Sequence, residues 1–241
     1  MRQKLVMNEM EIKKENIQKS ESFHVAALLA VSGGLLDAYT YLCRGGVFAN
    51  AQTGNIVLLG INLAAGNWAK ALTALVPISA FVDGILITEL IKSRFKTDSP
   101  HALHWRHAML GLEMLLLTVA AFVPIGTMDR VVNIIVSLVC ALQVQTFRKV
   151  HGYSFASTMC TGNLRNGTEA FFEYAANGKN DAKCRCLYSF GVIVFFIIGA
   201  ALGAFVSSKF PSFVLVVAIL IYLAVFLLMT RWDRLTFQEN F

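Results

Sequence analysis

Six apolar runs, each about 20 residues long, constrain this chain more than any other feature of its sequence. A helix of that length covers roughly 30 Å of hydrocarbon at about 1.5 Å per residue, so each run is predicted to cross a membrane. Only 15% of the 241 residues are charged, against about one quarter in an average soluble domain. A soluble globular protein is therefore excluded, and the sequence predicts an all-α polytopic membrane protein. The predicted spans are residues 23–43, 69–91, 107–126, 131–147, 187–207 and 211–230.

Two shorter apolar stretches, residues 53–66 and 161–176, follow the first and fourth spans. Both stretches open with the same tripeptide. The two copies are Thr53-Gly54-Asn55 and Thr161-Gly162-Asn163. Because each stretch is too short to cross the membrane upright, both are predicted to be re-entrant half-helices that enter and leave by the same face.

The distribution of Lys and Arg provides a test of this arrangement, because cations accumulate in the cytoplasmic loops of membrane proteins. With six spans, two re-entrant segments and a cytoplasmic N-terminus, 17 of the 21 Lys and Arg residues lie inside. If residues 53–66 crossed fully, the four-cation loop at residues 92–106 would be forced outside. The re-entrant interpretation is therefore preferred.

This topology predicts a multi-pass protein of the bacterial inner membrane, with cytoplasmic tails at residues 1–22 and 231–241. The net charge of +6 then suits contact with anionic membrane lipid, and no nucleic-acid partner is expected. The five cysteines are odd in number, which argues against a disulfide framework, and no metal or cofactor is predicted.

The chain also contains an internal repeat. The segment Phe-Ala-Asn-Ala-Gln-Thr-Gly-Asn at residues 48–55 recurs, with one inserted residue, at residues 155–163. The order of elements is the same in both halves: span, Thr-Gly-Asn half-helix, span, span. Three crossings per half is an odd number, so the second half must lie upside down relative to the first. The sequence thus predicts two inverted-topology repeats, residues 23–126 and 127–230.

Several short motifs carry a resemblance to a known family. They are Gly-Gly-x-x-Asp-Ala-Tyr at residues 33–39, Gly-Val-Phe at 46–48, Gln-Thr-Gly-Asn at 52–55 and the second Thr-Gly-Asn. In this order they resemble the YoaK family of bacterial inner-membrane proteins, across roughly residues 23–230. The resemblance implies a multi-span membrane protein of uncharacterised function, and it supplies no substrate.

A half-helix that begins inside the membrane leaves about four backbone N–H groups without intrahelical partners. We expect Thr53 and Thr161 to cap these ends through their hydroxyls. If the two ends converge near the midplane, they form a site for a small polar or anionic solute, with Arg165 as a nearby cation. The alternative is that the motifs are tight turns that let two broken helices pack, with no solute between them.

Three acids lie within predicted spans: Asp37, Asp83 and Glu113. Intramembrane acids are costly and usually face a cavity or a partner, so all three are candidates for coupling proton movement to a solute. The alternatives are that Asp37 caps a half-helix or pairs with Arg165 as fixed scaffolding, and that Glu113 reaches water at the interface.

These features favour a membrane transporter or channel for a small polar or anionic solute. The first alternative is a non-transporting scaffold or accessory protein. The second is an intramembrane enzyme with Asp37 and Asp83 as a carboxylate dyad, although no catalytic motif is present and we do not expect an enzyme. Gly199 and Gly203 form a Gly-x-x-x-Gly pair, which either packs within the chain or forms the seam of a homo-oligomer.

Overall fold

A computed structural model describes residues 21–95, 102–126 and 128–239, with side chains for 21–94, 105–126 and 128–230. Within these residues the chain forms eight α-helices, one short hairpin and a 3-10 turn at Pro211–Phe213. The helices are α1 (Phe23–Cys43), α2 (Gln52–Ala64), α3 (Trp68–Phe95), α4 (Ala102–Ala121), α5 (Asp129–Thr146), α6 (Cys160–Asn177), α7 (Asn180–Lys209) and α8 (Val214–Glu239). The hairpin strands are β1 (Lys149–Val150) and β2 (Tyr153–Ser154).

Five segments of the described part are long and apolar enough to cross a membrane. They lie in α1, α3, α5, α7 and α8, so the prediction of an all-α membrane protein is confirmed. The predicted third span, residues 107–126, overlaps α4, which is not among the five. The count of six spans therefore stays a prediction.

Helix bounds differ from the predicted ones mainly where polar residues adjoin an apolar run. Helix α7 begins at Asn180, within a charged stretch, and α8 continues to Glu239, beyond the predicted span end at residue 230. The assignment of residues 231–241 to a cytoplasmic tail stays a prediction. Helix α4 ends at Ala121, before Pro124 and Gly126. Gly126 has a φ of +88°, which favours glycine and does not continue a helix. Residues 1–20 of the predicted N-terminal tail lie outside the described residues.

The closest helix packing joins α1 to α7. A Cβ added to Gly34 would lie 2.1 Å from Phe196 O, and one added to Gly199 would lie 2.0 Å from Val31 O. A Cβ on Gly203 would lie 2.6 Å from Leu35 O. The glycines thus let the two backbones touch, as small residues do between membrane helices. Gly199 and Gly203 pack against α1 within the chain, and a homo-oligomer stays a prediction.

Helices α3 and α5 pack in a related way. A Cβ on Gly84 of α3 would lie 2.6 Å from Ala141 Cβ and 2.9 Å from Leu138 O of α5. Farther along both helices, Gln145 donates a hydrogen bond to Glu89. Contacts therefore advance in the same direction along both helices, so α3 and α5 are parallel, as α1 and α7 are.

The other helix contacts also occur in pairs. Helix α2 packs on α3, and α6 packs on α7; α4 packs on α5, and α8 packs on α1. Helix α4 also packs on α8. When the two halves are exchanged, each of these contacts therefore corresponds to another one, and the α4–α8 contact corresponds to itself.

Two faces of the bundle can be distinguished by the helix ends that meet there. At the face where α1 begins, His151 N donates a hydrogen bond to Glu21 O. At the same face, Thr230 Oγ1, near the end of the apolar part of α8, lies 3.2 Å from His107 Nε2 of α4. We call this the α1-start face. Helix α5 begins at the opposite, α1-end face, because its first residue, Asp129, pairs with Arg44 just after α1. Since α3 runs parallel to α5, the α2–α3 turn lies toward the α1-end face. Since α7 runs parallel to α1, the α6–α7 turn lies toward the α1-start face.

Arg44 holds three helix ends together at the α1-end face. It is 2% exposed and forms an ion pair with Asp129 at 2.9 Å. Its guanidinium also donates to Val123 O at 2.8 Å, Pro124 O at 2.9 Å and Tyr39 Oη at 2.8 Å. Charge-assisted bonds of this kind are stronger than neutral ones. Arg44 therefore ties the end of α1 to the end of α4 and the start of α5.

The glycine contacts between α1 and α7 predict a selective effect on stability. Gly34→Ala forces a methyl group into Phe196 O, and we expect a loss of roughly 1–3 kcal/mol or more from overpacking. Gly111→Ala is the control, because a Cβ there meets nothing within 4 Å. It should be neutral or stabilising by about 0.5–1 kcal/mol. Thermal unfolding of the purified protein in detergent measures both, and equal melting temperatures for the two variants would contradict the packing described.

Candidate functional site

The loop before α2 folds back along α1. Asn50 N donates to Asp37 Oδ1 at 2.9 Å, and Asn50 Nδ2 donates to Gly33 O at 3.0 Å. Ala49 N donates to Thr40 Oγ1 at 3.3 Å. Because Gly33 lies near the middle of α1, α2 begins at mid-depth in the bundle and not at the end of α1.

The loop before α6 reaches the same level from the other half. Gln143 Nε2 of α5 donates to Leu29 O at 3.2 Å and also to Ser157 Oγ. A Cβ added to Gly33 would lie 2.8 Å from Thr158 Cγ2. Both half-helices thus begin beside the central part of α1.

Between these two helix starts lies a cavity of about 530 Å³, which we call the Thr-Gly-Asn cavity. Asp37, Asn50 and Thr158 are buried and form its floor. Thr53 and Thr161 are exposed and lie at its rim. The structure therefore brings the starts of both predicted half-helices to one site.

Two phenylalanines line this cavity from matching places in the two halves. Phe81 of α3 lies three residues before Gly84, the glycine packed on α5. Phe196 of α7 lies three residues before Gly199, the glycine packed on α1. The site thus takes equivalent aromatic walls from each half.

Neither half-helix start is capped by a side chain. The N-cap residues are Ala51 for α2 and Met159 for α6, and neither makes a side-chain cap bond. The expectation that Thr53 and Thr161 cap the helices is wrong, because each helix begins one residue earlier, at Gln52 and Cys160. In α2, Gln52 N and Gly54 N bond to the backbone oxygens of Asn50 and Ala51. The start of each helix nevertheless lies at the cavity, where the positive end of the helix dipole favours electron-rich groups.

The floor of the cavity contains polar atoms without strong partners. Thr158 Oγ1 is buried and has no hydrogen-bond partner among the described residues. Asn50 Oδ1 also lacks one. A buried polar group without a partner costs roughly 1–3 kcal/mol. Such groups need a ligand or water, which the cavity has room to hold.

The asparagines of the two motifs do not line this cavity. Asn55 Nδ2 donates to Phe48 O at 3.3 Å, and Asn163 Nδ2 donates to Ala156 O at 2.6 Å. Both side chains are buried and bind the loop that precedes their own helix. Gly54 is likewise not among the lining residues. Of the six motif residues, the cavity is lined by Thr53, Thr161 and Gly162.

Arg165 and two of the three acids also lie away from this cavity. Arg165 is exposed and forms an ion pair with Glu169 at 2.8 Å, so the expected pairing with Asp37 is wrong. Asp83 is exposed in a groove between α3 and α5. Glu113 is fully buried near Cys140 and Tyr222, so the expectation that it reaches water at the interface is also wrong. Asp37 is the acid that the cavity contains.

A second cavity of about 330 Å³ lies between the hairpin, α6 and α7, and we call it the α6 cavity. Among its lining residues are Asn163, Asn166, Glu169 and Arg185. It was not predicted, because the hairpin that forms one of its walls consists of two-residue strands with no periodic signal.

Ionic contacts surround the α6 cavity. Arg185 bonds to Glu173, and this contact holds the pKa of the Glu173 carboxyl below its usual value. Tyr153 donates to Asp181, and burial together with this bond raises the pKa of its phenol. Helix α6 thus carries charged residues beside this cavity, whereas α2 contains none.

Comparisons with known proteins place this chain beside a family and a curated relative. The family model described as "Protein of unknown function (DUF1275)" matches residues 25–228. The UPF0700 transmembrane protein YoaK of Bacillus subtilis (strain 168) is 26% identical over 211 residues, which cover 81% of this chain and 88% of that protein. No solved structure matches the chain.

The bond between Asp37 and Asn50 predicts a difference between two substitutions. Asp37→Leu removes the acceptor for Asn50 N, and we expect a loss of about 1–3 kcal/mol. Asp37→Asn keeps an acceptor oxygen in the same place, so most of the stability should remain. Thermal unfolding in detergent distinguishes them. If both variants lost the same stability, the carboxylate charge and not the loop contact would be the stabilising feature.

Proposed function

Because the chain belongs to the DUF1275 family, whose function is unknown, we propose a function from the geometry of its site. The protein is a membrane transporter or channel for a small polar or anionic solute. The solute binds in the Thr-Gly-Asn cavity, between the starts of α2 and α6.

One observation carries this proposal: two uncapped helix starts, from opposite halves of the chain, line the same cavity. Helix N-termini are natural sites for anions and for electron-rich polar groups. Broken helices whose ends meet at mid-depth are a recurrent way of building solute sites in transporters. The unpartnered Thr158 hydroxyl at the floor supplies a further contact for a solute.

The proposal includes six spans, two re-entrant half-helices and two inverted repeats. It is supported by the paired helix contacts, which correspond to one another when the two halves are exchanged. It is also supported by the opposite directions of the two half-helices, since α2 leads toward the α1-end face and α6 toward the α1-start face. With the N-terminus inside, the α1-start face is cytoplasmic.

Proton coupling is a second part of the proposal, and Asp37 is the residue we assign to it. Its carboxylate lies at the cavity floor, within 2.9 Å of Asn50 N. A change in its charge would alter the field at the solute and the strength of the contact that positions α2. Asp83 and Glu113 lie elsewhere, so they are weaker candidates.

A non-transporting scaffold is the second candidate, and one set of contacts favours it. Asn55, Asn163 and Asp37 all bond to loop backbone, which is what a purely structural motif requires. An enzyme has less support, because Asp37 and Asp83, the two acids of the alternative dyad, line separate cavities.

We expect the Gly162→Ala substitution to reduce solute uptake without reducing the stability of the protein. A Cβ on Gly162 meets nothing within 4 Å, so the fold should tolerate it, but the methyl group narrows the cavity. In proteoliposomes supplied with nitrate, phosphate, acetate, urea or glycerol, we expect uptake of the transported solute to fall about tenfold, equal to about 1.4 kcal/mol.

Gly54→Ala is the matched control, because its added Cβ also meets open space but Gly54 does not line the cavity. Its uptake should equal that of the unaltered protein. No uptake of any solute above that of empty liposomes would favour the scaffold. Equal loss in both variants would remove the cavity from the mechanism.

Asp37→Asn tests coupling. The amide keeps the contact to Asn50 but cannot change charge, so uptake should lose its dependence on an imposed pH gradient while solute binding persists. Uptake with and without the gradient is the measurement, and Asp83→Asn is the comparison. A gradient response that survives Asp37→Asn and disappears in Asp83→Asn would transfer the role to Asp83.

A further inference from the structure

The two half-helices differ in the surface that they expose. Arg165 and Glu169 of α6 are exposed, with their side chains 76% and 61% accessible. Counted from the shared Thr-Gly-Asn, the equivalent residues of α2 are Val57 and Ile61, which are exposed too. The same position in the two repeats is thus charged on one side and apolar on the other.

This difference has a physical consequence at membrane depth. Helix α6 begins beside the middle of α1, so Arg165 lies roughly 8 Å from that level at about 1.5 Å per residue. A charged pair in hydrocarbon costs several kcal/mol, whereas an exposed Val or Ile suits lipid. The face of α6 that carries Arg165 and Glu169 therefore requires water, whereas the equivalent face of α2 suits lipid. Other residues of α6, Leu164, Phe171 and Phe172, are exposed and apolar.

The structure contains a space for that water. Asn166 and Glu169 line the α6 cavity, together with Asn163. Gly162, the residue before Asn163, lines the Thr-Gly-Asn cavity instead. The two cavities therefore adjoin across the first turn of α6, and the bond from Asn163 to Ala156 lies at their boundary.

We propose that water and solute reach the Thr-Gly-Asn cavity along α6, through the α6 cavity from the α1-start face, and that apolar α2 seals the α1-end side. The passage of solute along this route rests on the proposed function, whereas the passage of water does not. It makes the two repeats unequal in use although they are similar in fold.

A native cysteine reports on this route. Cys160 is partly exposed and lines the Thr-Gly-Asn cavity. In a chain that retains Cys160 and carries Ser at the other four cysteines, a charged methanethiosulfonate, which does not cross lipid, can be added to either side of sealed membrane vesicles. We expect Cys160 to react about tenfold faster from the α1-start face, because thiol modification requires access of the reagent.

Two reference variants identify the faces without any assumption about the cytoplasm. Cys184 is exposed near the start of α7, so a chain that retains it alone marks the α1-start face. Asn67→Cys in the α2–α3 turn, with no other cysteine, marks the opposite face. Full reaction of Cys160 in dodecyl sulfate shows that the thiol is intact in every preparation.

A matched pair of substitutions tests the polarity argument itself. Asn166→Cys on α6 and Leu58→Cys on α2 occupy equivalent exposed positions. Asn166→Cys should react with the charged reagent, and Leu58→Cys should react only with a lipid-soluble maleimide. Both substitutions lie on exposed surface, so neither should disturb folding.

The outcomes separate this inference from the proposed function, since no arm depends on transport. Reaction of Cys160 and Asn166→Cys from the α1-start face supports the route. Reaction of Cys160 mainly from the Asn67→Cys face, equally from both faces, or only with the maleimide overturns it. If thiol access is one-sided but no uptake is measured, the route of water is supported. The protein then has a water-filled vestibule and does not transport the solutes tested.

Discussion

The requirement that backbone groups at membrane depth find partners governs this structure. A chain that turns back beside the middle of α1 exposes N–H and C=O groups where lipid cannot pair them. Asp37, Thr40 and Gly33 of α1 pair with the loop before α2, and Ser137 of α5 donates to Ala49 O at 2.8 Å. These contacts allow a helix to begin inside the bundle, and the cavity exists because of them.

The two halves meet this requirement with different residues. The first half uses a carboxylate, Asp37, and the second half uses an amide, Gln143, whose side chain bonds to Ser157 and accepts from Tyr222. Both halves use the asparagine of Thr-Gly-Asn to hold their own loop. The shared residue is therefore mainly structural, and the chemistry of the site comes from the uncapped backbone, Thr158 and Asp37.

Prediction from sequence succeeded where local pattern and membrane physics suffice. The bounds of α1 follow from its apolar run, and the two short helices follow from length together with the repeated tripeptide. Prediction missed Arg44, because a loop arginine looks solvated until the ends of α4 and α5 surround it. It also assigned Arg165 to the site on depth alone, whereas the direction of a side chain around a helix depends on packing.

The sequence by itself determined that this is a helical membrane protein and predicted two short helices that share a tripeptide, because hydrophobic length and a repeated motif are properties of the chain alone. Only the tertiary structure decided which polar groups meet. Asp37 and Thr158 are far apart in the chain, and they line one cavity because glycines bring α7 onto α1 and both loops fold against the middle of α1. Contacts of that kind depend on how distant helices pack, which no local pattern encodes.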